Sequence, residues 1–240
     1  MKGLVLIFIA VFSVLRPAVA GEVSFAGAAN FLPIAEDIAA DFSRDTDHDV
    51  SISHGSTGQI FALIANGAPF DIFLAADQIR PERLLTDGVA DQVRTYAQGR
   101  LVLVSRRKIE RETADAAFRD INVALADPTL APYGLAATAA MENLNIDTAR
   151  FQPLPVANVA QAATLFATGN ADVAFVAASL LPLLDAPYQL PLEGLHPPIR
   201  QDAAMLSRAR ENPAATAFWD FLFSETARPR IRAGGYVLPE

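Results

Sequence analysis

Four stretches of this sequence place a capping residue or a tight turn just ahead of a helix-like run. Gly27-Ala28-Ala29-Asn30 follows an apolar strand pattern, with Asn30 where an N-cap belongs. His54-Gly55-Ser56-Thr57-Gly58 follows a second strand pattern, with Ser56 as the capping residue. Asp127-Pro128-Thr129-Leu130-Ala131-Pro132-Tyr133-Gly134 is a turn-rich loop before a third helical run, and Val156-Ala157-Asn158-Val159 opens a fourth. A helix start carries unpaired N–H groups and about half a positive charge from its aligned peptide dipoles, so it binds an anion without a cationic side chain. Each start alone reads as an ordinary cap. Together they would form an oxyanion site only if the fold brings them to one place.

Other residue types that could do chemistry are weaker. His54 lies two positions before Ser56 and could suggest a nucleophile and its base in a serine hydrolase, although Gly55-Ser56-Thr57-Gly58 lacks the residue that a nucleophile elbow needs before its serine. Asp45-Thr46-Asp47-His48-Asp49 looks like the start of a calcium loop, but Val50 stands where the loop requires glycine. Arg106-Arg107-Lys108 is a lone basic run and reads as a solvated loop. Asp77 reads as a cap for a helix near Ile79 or as a partner for an arginine. Trp219, with Phe218, Phe221 and Leu222, reads as the core face of a late helix.

The elements that must position these residues alternate. Strand patterns fall at 22–26, 50–54, 71–74, 101–105, 122–126 and 172–176; helical patterns fall at 31–42, 59–65, 133–144, 159–167 and 214–223. Apolar strands alternating with helices predict a largely parallel α/β sheet covered on both faces. Two such blocks appear, from Glu22 to about Gln98 and from about Asn122 to Val176. Leu101–Ser105 and Ile199–Leu206 are expected as the two crossings between them. Loops at the carboxyl ends of parallel strands share one sheet edge, so facing blocks could present all four helix starts to one ligand.

Composition narrows the partners. The chain has 240 residues, 19 basic and 27 acidic, and no cysteine. Lys2, the apolar run Leu4–Leu15 and Ala18-Val19-Ala20 read as a signal peptide cleaved after Ala20, which would leave 17 basic residues against 27 acidic ones, a net charge of −10. That charge disfavours nucleic acid and anionic membrane surfaces. The apolar run is too short to span a bilayer. Zero cysteines exclude disulfides, thiolate metal sites and a lipidated N-terminal cysteine, and three histidines make a multi-histidine metal centre an unattractive reading. A soluble periplasmic protein is expected.

At this point the sequence resembles the periplasmic molybdate-binding proteins of bacterial ABC importers. The matching stretches are Gly27–Phe31, Gly55–Gly58, Asn66–Asp77, Ala126–Pro128, Ala131–Gly134, Asn158-Val159, Ala167–Ala171 and Ile199–Ala203, in the family's order and across almost the whole mature chain. Asn66–Asp77 is the most specific of them. The resemblance implies a two-lobed, type II-like periplasmic-binding-protein fold, each lobe a mostly parallel sheet flanked by helices. Residues 21–99 would open the first lobe, 100–204 form the second, and 205–240 complete the first. It implies molybdate, and tungstate as well, held without a cofactor and without direct protein ligands to the metal. Asn30 and Ser56 would give backbone and side-chain donors, and Tyr133 and Val159 backbone amides. Ala29 stands where relatives carry Thr or Ser, leaving only its amide as a further donor. Ala177 stands where another branch places a tyrosine, which here would come from Tyr133. The implied partner is an ABC permease, and the protein is expected to be a monomer with no enzymatic activity. A receptor for sulfate or phosphate, and a periplasmic hydrolase using Ser56 and His54, are the alternatives.

Overall fold

The computed structural model describes residues 21–239, so the signal-peptide reading and its cleavage site lie outside the described residues. The strands, in chain order, are β1 (Glu22–Ala28), β2 (Asp49–Gly55), β3 (Ile72–Leu74), β4 (Ala90–Gly99), β5 (Leu101–Ser105), β6 (Asn122–Ala126), β7 (Gln152–Val156), β8 (Val173–Ala177), β9 (Tyr188–Pro191) and β10 (Ile199–Leu206). They form two sheets of five, in the orders β2-β1-β3-β10-β4 and β7-β6-β8-β5-β9. The helices are α1 (Leu32–Thr46), α2 (Thr57–Ala65), α3 (Ile79–Thr86), α4 (Ala114–Ala117), α5 (Pro132–Asn143), α6 (Val159–Ala167), α7 (Pro213–Leu222) and α8 (Ala227–Ala233).

The two sheets share one plan. β1 lies parallel between β2 and β3, and β6 lies parallel between β7 and β8. In each sheet the fourth strand runs against the rest: β10 is antiparallel to β3 and β4, and β5 is antiparallel to β8 and β9. Leu101–Ser105 and Ile199–Leu206 are therefore not free crossings. Both are nearly wholly buried strands whose backbone groups need ladder partners on both sides, and each inserts into a sheet. The chain crosses at Arg100, between β4 and β5, and returns between Pro191 and Ile199. A boundary after residue 204 would fall inside β10, so the return to the first sheet comes earlier than expected.

Burial follows sequence pattern. β5 (LVLVS) and β8 (VAFVA) are buried along their whole length, as flanked strands are. β7 (QPLPV) sits at an edge, where Pro153 and Pro155 remove donors that no neighbour needs. The second lobe's core surrounds Phe118, Phe166 and Phe175. The first has a core on each face of its sheet. One contains Phe25, Phe42, Phe218 and Trp219, which fastens α7 to β1 and α1; the other contains Ile60, Phe73 and Leu84 under α2 and α3. Phe218 meets Phe25 at 5.2 Å and Phe42 at 5.2 Å between ring centroids. Among the described residues no helix is long and apolar enough to cross a membrane.

Candidate anion site between the lobes

The carboxyl ends of β1, β2 and β3 face those of β6 and β7, and the loops that leave them enclose a small cleft. From the first lobe it is lined by Ala28, Ala29, Asn30, Gly55, Ser56, Thr57 and Ala76. Ala131, Pro132, Tyr133, Asn158 and Val159 line it from the second. Asn30, Ser56, Tyr133 and Val159, which the sequence distributes over 130 positions, thus share one pocket. It is a narrow cleft with a cavity volume of about 10 Å³, far below the ~300–1,000 Å³ of drug-sized ligand sites. No lining side chain is charged.

Local structure decides what each residue can offer. At the start of α5, Pro132 supplies a φ suited to the first helical turn, and the Tyr133 amide precedes the first intrahelical acceptor. At α6, Asn158 caps through its side chain, which accepts from the amides of Ala160 and Gln161 at 3.1 Å each and leaves Val159 unengaged. Among the described residues, the amides of Asn30, Thr57, Tyr133 and Val159 have no protein acceptor. Ser56 caps α2 in a reciprocal box: its Oγ accepts from the Gln59 amide at 3.3 Å, and its own amide donates to Gln59 Oε1 at 3.4 Å. The Ser56 hydroxyl proton remains to be given to a ligand, and the free backbone donor at this turn is Thr57.

Three expectations change. Asn30 is not the N-cap of α1; Phe31 holds that position without a side-chain cap bond. Asn30 instead turns its side chain away, its Nδ2 donating to Gln201 Oε1 at 3.0 Å and to Tyr236 Oη at 2.9 Å, so its backbone amide is what it offers the pocket. Ala29 lines the cleft, but its amide donates to the Gly55 carbonyl at 2.9 Å, prolonging the β1–β2 ladder, and is not available to a ligand. The hydrolase pairing has no support either: Ser56 is buried, His54 is exposed on the strand before it, and no hydrogen bond joins them.

Acidic groups near the cleft are engaged elsewhere. Asp77 pairs with Arg80 and accepts from its amide at 3.1 Å, which meets the arginine-partner reading, while Gln78 holds the N-cap position of α3. Asp127 turns back on Thr129, whose hydroxyl and amide hold its carboxyl below the usual range. Burial pushes the Tyr133 hydroxyl well above its ordinary range, so it stays neutral. Among the described residues no group of His, Asp or Glu could hold a metal ion. The site is a set of neutral donors and helix dipoles in a narrow cleft, suited to a small, fully ionised oxyanion.

Across the mouth, the Gly58 amide donates to the Leu130 carbonyl at 2.8 Å, and Arg80 Nη2 donates to the Thr129 carbonyl at 3.1 Å. Local sequence pattern assigns no role to Thr57 or to the buried polar residues behind the pocket, Tyr96, Ser179, Gln201 and Tyr236. Each of these last lies on a segment whose local pattern signals only core or loop.

A family model for bacterial extracellular solute-binding proteins matches residues 23–237. The chain is 41% identical over 235 residues to the molybdate-binding protein ModA of Azotobacter vinelandii, covering 92% of each. It is 40% identical over 228 residues to the molybdate-binding protein ModA of Rhodobacter capsulatus, covering 92% of this chain and 90% of the relative. The solved structure of an Azotobacter vinelandii periplasmic molybdate-binding protein superposes with a TM-score of 0.83 at 34% identity, over 91% of this chain and 100% of that one. The sulfate-binding protein SubI from Mycobacterium tuberculosis superposes with a TM-score of 0.73 at 17% identity, over 92% of this chain and 88% of that one, a likeness of fold.

Proposed function

The chain belongs to the bacterial extracellular solute-binding proteins, and from that premise we propose that it is a periplasmic receptor that binds molybdate and delivers it to an ABC permease. The observation that carries this reading is the convergence of helix starts from both lobes on one small pocket with no charged lining. Charge-assisted hydrogen bonds contribute about 1.5–3 kcal/mol each, so several support micromolar or tighter affinity after ordering costs. Asn30 gives its amide, Ser56 its hydroxyl, and Tyr133 and Val159 their amides; Thr57 joins them.

The names of the relatives support molybdate within the oxyanion class. The pocket itself argues against phosphate, which carries a proton near neutral pH and would call for an acceptor carboxylate; none lines the cleft. Tungstate, of the same shape and charge, is bound as well. The two lobes meet across the mouth at the bonds between Gly58 and Leu130 and between Arg80 and Thr129, so closure about the crossings tells a permease that the receptor is loaded. The receptor performs no chemistry on the anion. It works as an exported monomer, with cleavage after Ala20.

Calorimetric titration with molybdate, tungstate, sulfate and phosphate tests this reading. Saturable heat with the first two, and a melting temperature that rises with their concentration, are expected. Heat with sulfate or phosphate alone would overturn the choice of ligand.

A further inference from the structure

Behind the pocket lies a buried polar cluster centred on Gln201. Gln201, on β10 and fully buried, fills both acceptor sites of its Oε1 with Asn30 Nδ2 at 3.0 Å and Tyr96 Oη at 2.9 Å. Its Nε2 donates to Tyr133 Oη at 3.2 Å, reaching from the first lobe's sheet to the second lobe's α5. The Asn30 carbonyl accepts from Ser179 Oγ of the second lobe at 2.8 Å and from Tyr236 Oη at 2.7 Å.

The cluster acts on the donors. The Ala29 amide is held by Gly55, and the Asn30 carbonyl by Ser179 and Tyr236, so the peptide that carries the free Asn30 amide is fixed from both sides. Tyr133 carries another free amide, and its hydroxyl is tied through Gln201 to the Asn30 side chain. The end of β4 makes room for this link. A Cβ at Gly99 would stand 2.0 Å from Tyr133 Oη and 2.6 Å from Gln201 Nε2, so only glycine lets the two meet there.

We propose that Gln201 is a positioning residue of the anion site: by joining Asn30 of the first lobe to Tyr133 of the second, it sets the closed geometry in which both amides reach one ligand. The proposal rests on the anion-receptor reading. The Gln201–Tyr133 and Ser179–Asn30 bonds both join the lobes in this structure, so their loss should act on ligand release more than on capture. Burial keeps the Tyr96 and Tyr133 hydroxyls un-ionised, so the link persists across the usable pH range.

The test compares the wild-type chain with Tyr133→Phe, Gln201→Leu and the double variant. Tyr133→Phe keeps the ring and the donating amide and deletes only the linking hydroxyl. Wild type is titrated with molybdate and, failing saturable heat, with sulfate; the variants are then measured with the anion that binds, so the ligand's identity can fail without touching Gln201. Tyr133→Phe is expected to raise Kd about five- to tenfold, the size of one buried hydrogen bond, mostly through faster dissociation. In the Gln201→Leu background the same change should add less than twofold, because the link is already gone. Small-angle scattering should show less ligand-induced compaction in each variant. Should Gln201→Leu fail to fold, Ser179→Ala and Tyr133→Phe supply the comparison. A Tyr133→Phe chain with wild-type Kd and dissociation rate, or one with lowered melting temperature alone, overturns the proposal. So does a wild-type chain that binds no oxyanion.

Discussion

The Gly58 amide of the first lobe and the Leu130 carbonyl of the second meet at 2.8 Å, a backbone hydrogen bond across the mouth of the pocket. A Cβ at Gly58 would stand 2.9 Å from the Leu130 oxygen and 3.1 Å from its Cα. Those atoms are backbone and cannot turn aside, so Gly58→Ala should prop the lobes apart. Alanine is the better helix former inside α2, and the ligand-free protein should melt no lower than wild type. Molybdate affinity is expected to fall more than tenfold, with little compaction in scattering on ligand addition. Unchanged affinity and full compaction would show that closure does not need this contact.

Ser56 carries two duties that one substitution separates. Its Oγ caps α2 by accepting from the Gln59 amide at 3.3 Å, and its proton is free for the anion. Ser56→Ala should cost about 0.5–2 kcal/mol of stability in denaturant melts without ligand. It should weaken binding by roughly 1–3 kcal/mol in calorimetry. Ser56→Thr keeps both functions and should stay near wild type. A Ser56→Ala chain that loses only stability would leave the hydroxyl as a cap and nothing more.

How much of this was legible depended on whether a signal was local. The inner strands β1, β5, β6 and β8 stood out because apolar runs with turn residues at their ends are written in sequence. β4 was missed because its exposed face carries Gln92 and Arg94, and β7 because Pro153 and Pro155 argue against a strand unless its edge position is known. Ser56 and Asn158 were readable as caps, since a cap bonds within its own turn. Asn30 was readable by motif and misread by mechanism. Its side-chain partners, Gln201 and Tyr236, lie 171 and 206 positions away, a distance no local pattern spans. Net charge was similarly blunt: it describes the far field, while capture takes place within a few ångströms of helix ends.

Gly134 ties stability to the site. At the start of α5 a Cβ would stand 2.2 Å from the Ala126 carbonyl oxygen and 2.8 Å from its carbon, both in β6. Gly134→Ala must therefore push α5 off the second sheet, an overpacking that costs about 1–3 kcal/mol. Tyr133, one residue earlier, would move with the helix. Thermal melts should show the destabilisation, and titration at a temperature where the variant is folded should show weaker binding. A chain that melts lower and binds normally would separate the position of α5 from that of the Tyr133 donor.

Acid should loosen the first lobe through Asp41. Its carboxylate, buried on α1, accepts from Arg44 at 2.9 Å within the helix and from Arg230 on α8 at 2.8 Å. The Arg44 hydrogen bond first, and Arg230 beside it, hold the Asp41 carboxyl below its ordinary 3.8. A folded-state pKa below the unfolded one gives stability that is complete above the unfolded value and lost as pH falls through the folded one. Both guanidinium groups are at least half exposed, so solvent screens the pair and added salt should reduce its effect. Ligand-free melts of wild type and Asp41→Asn from pH 7 to pH 3 at low salt test this. The variant should melt lower at pH 7, and the two curves should converge below about pH 4, where wild type loses what the variant never had. If the gap keeps its size down to pH 3, the α1–α8 contact owes nothing to the charge on Asp41.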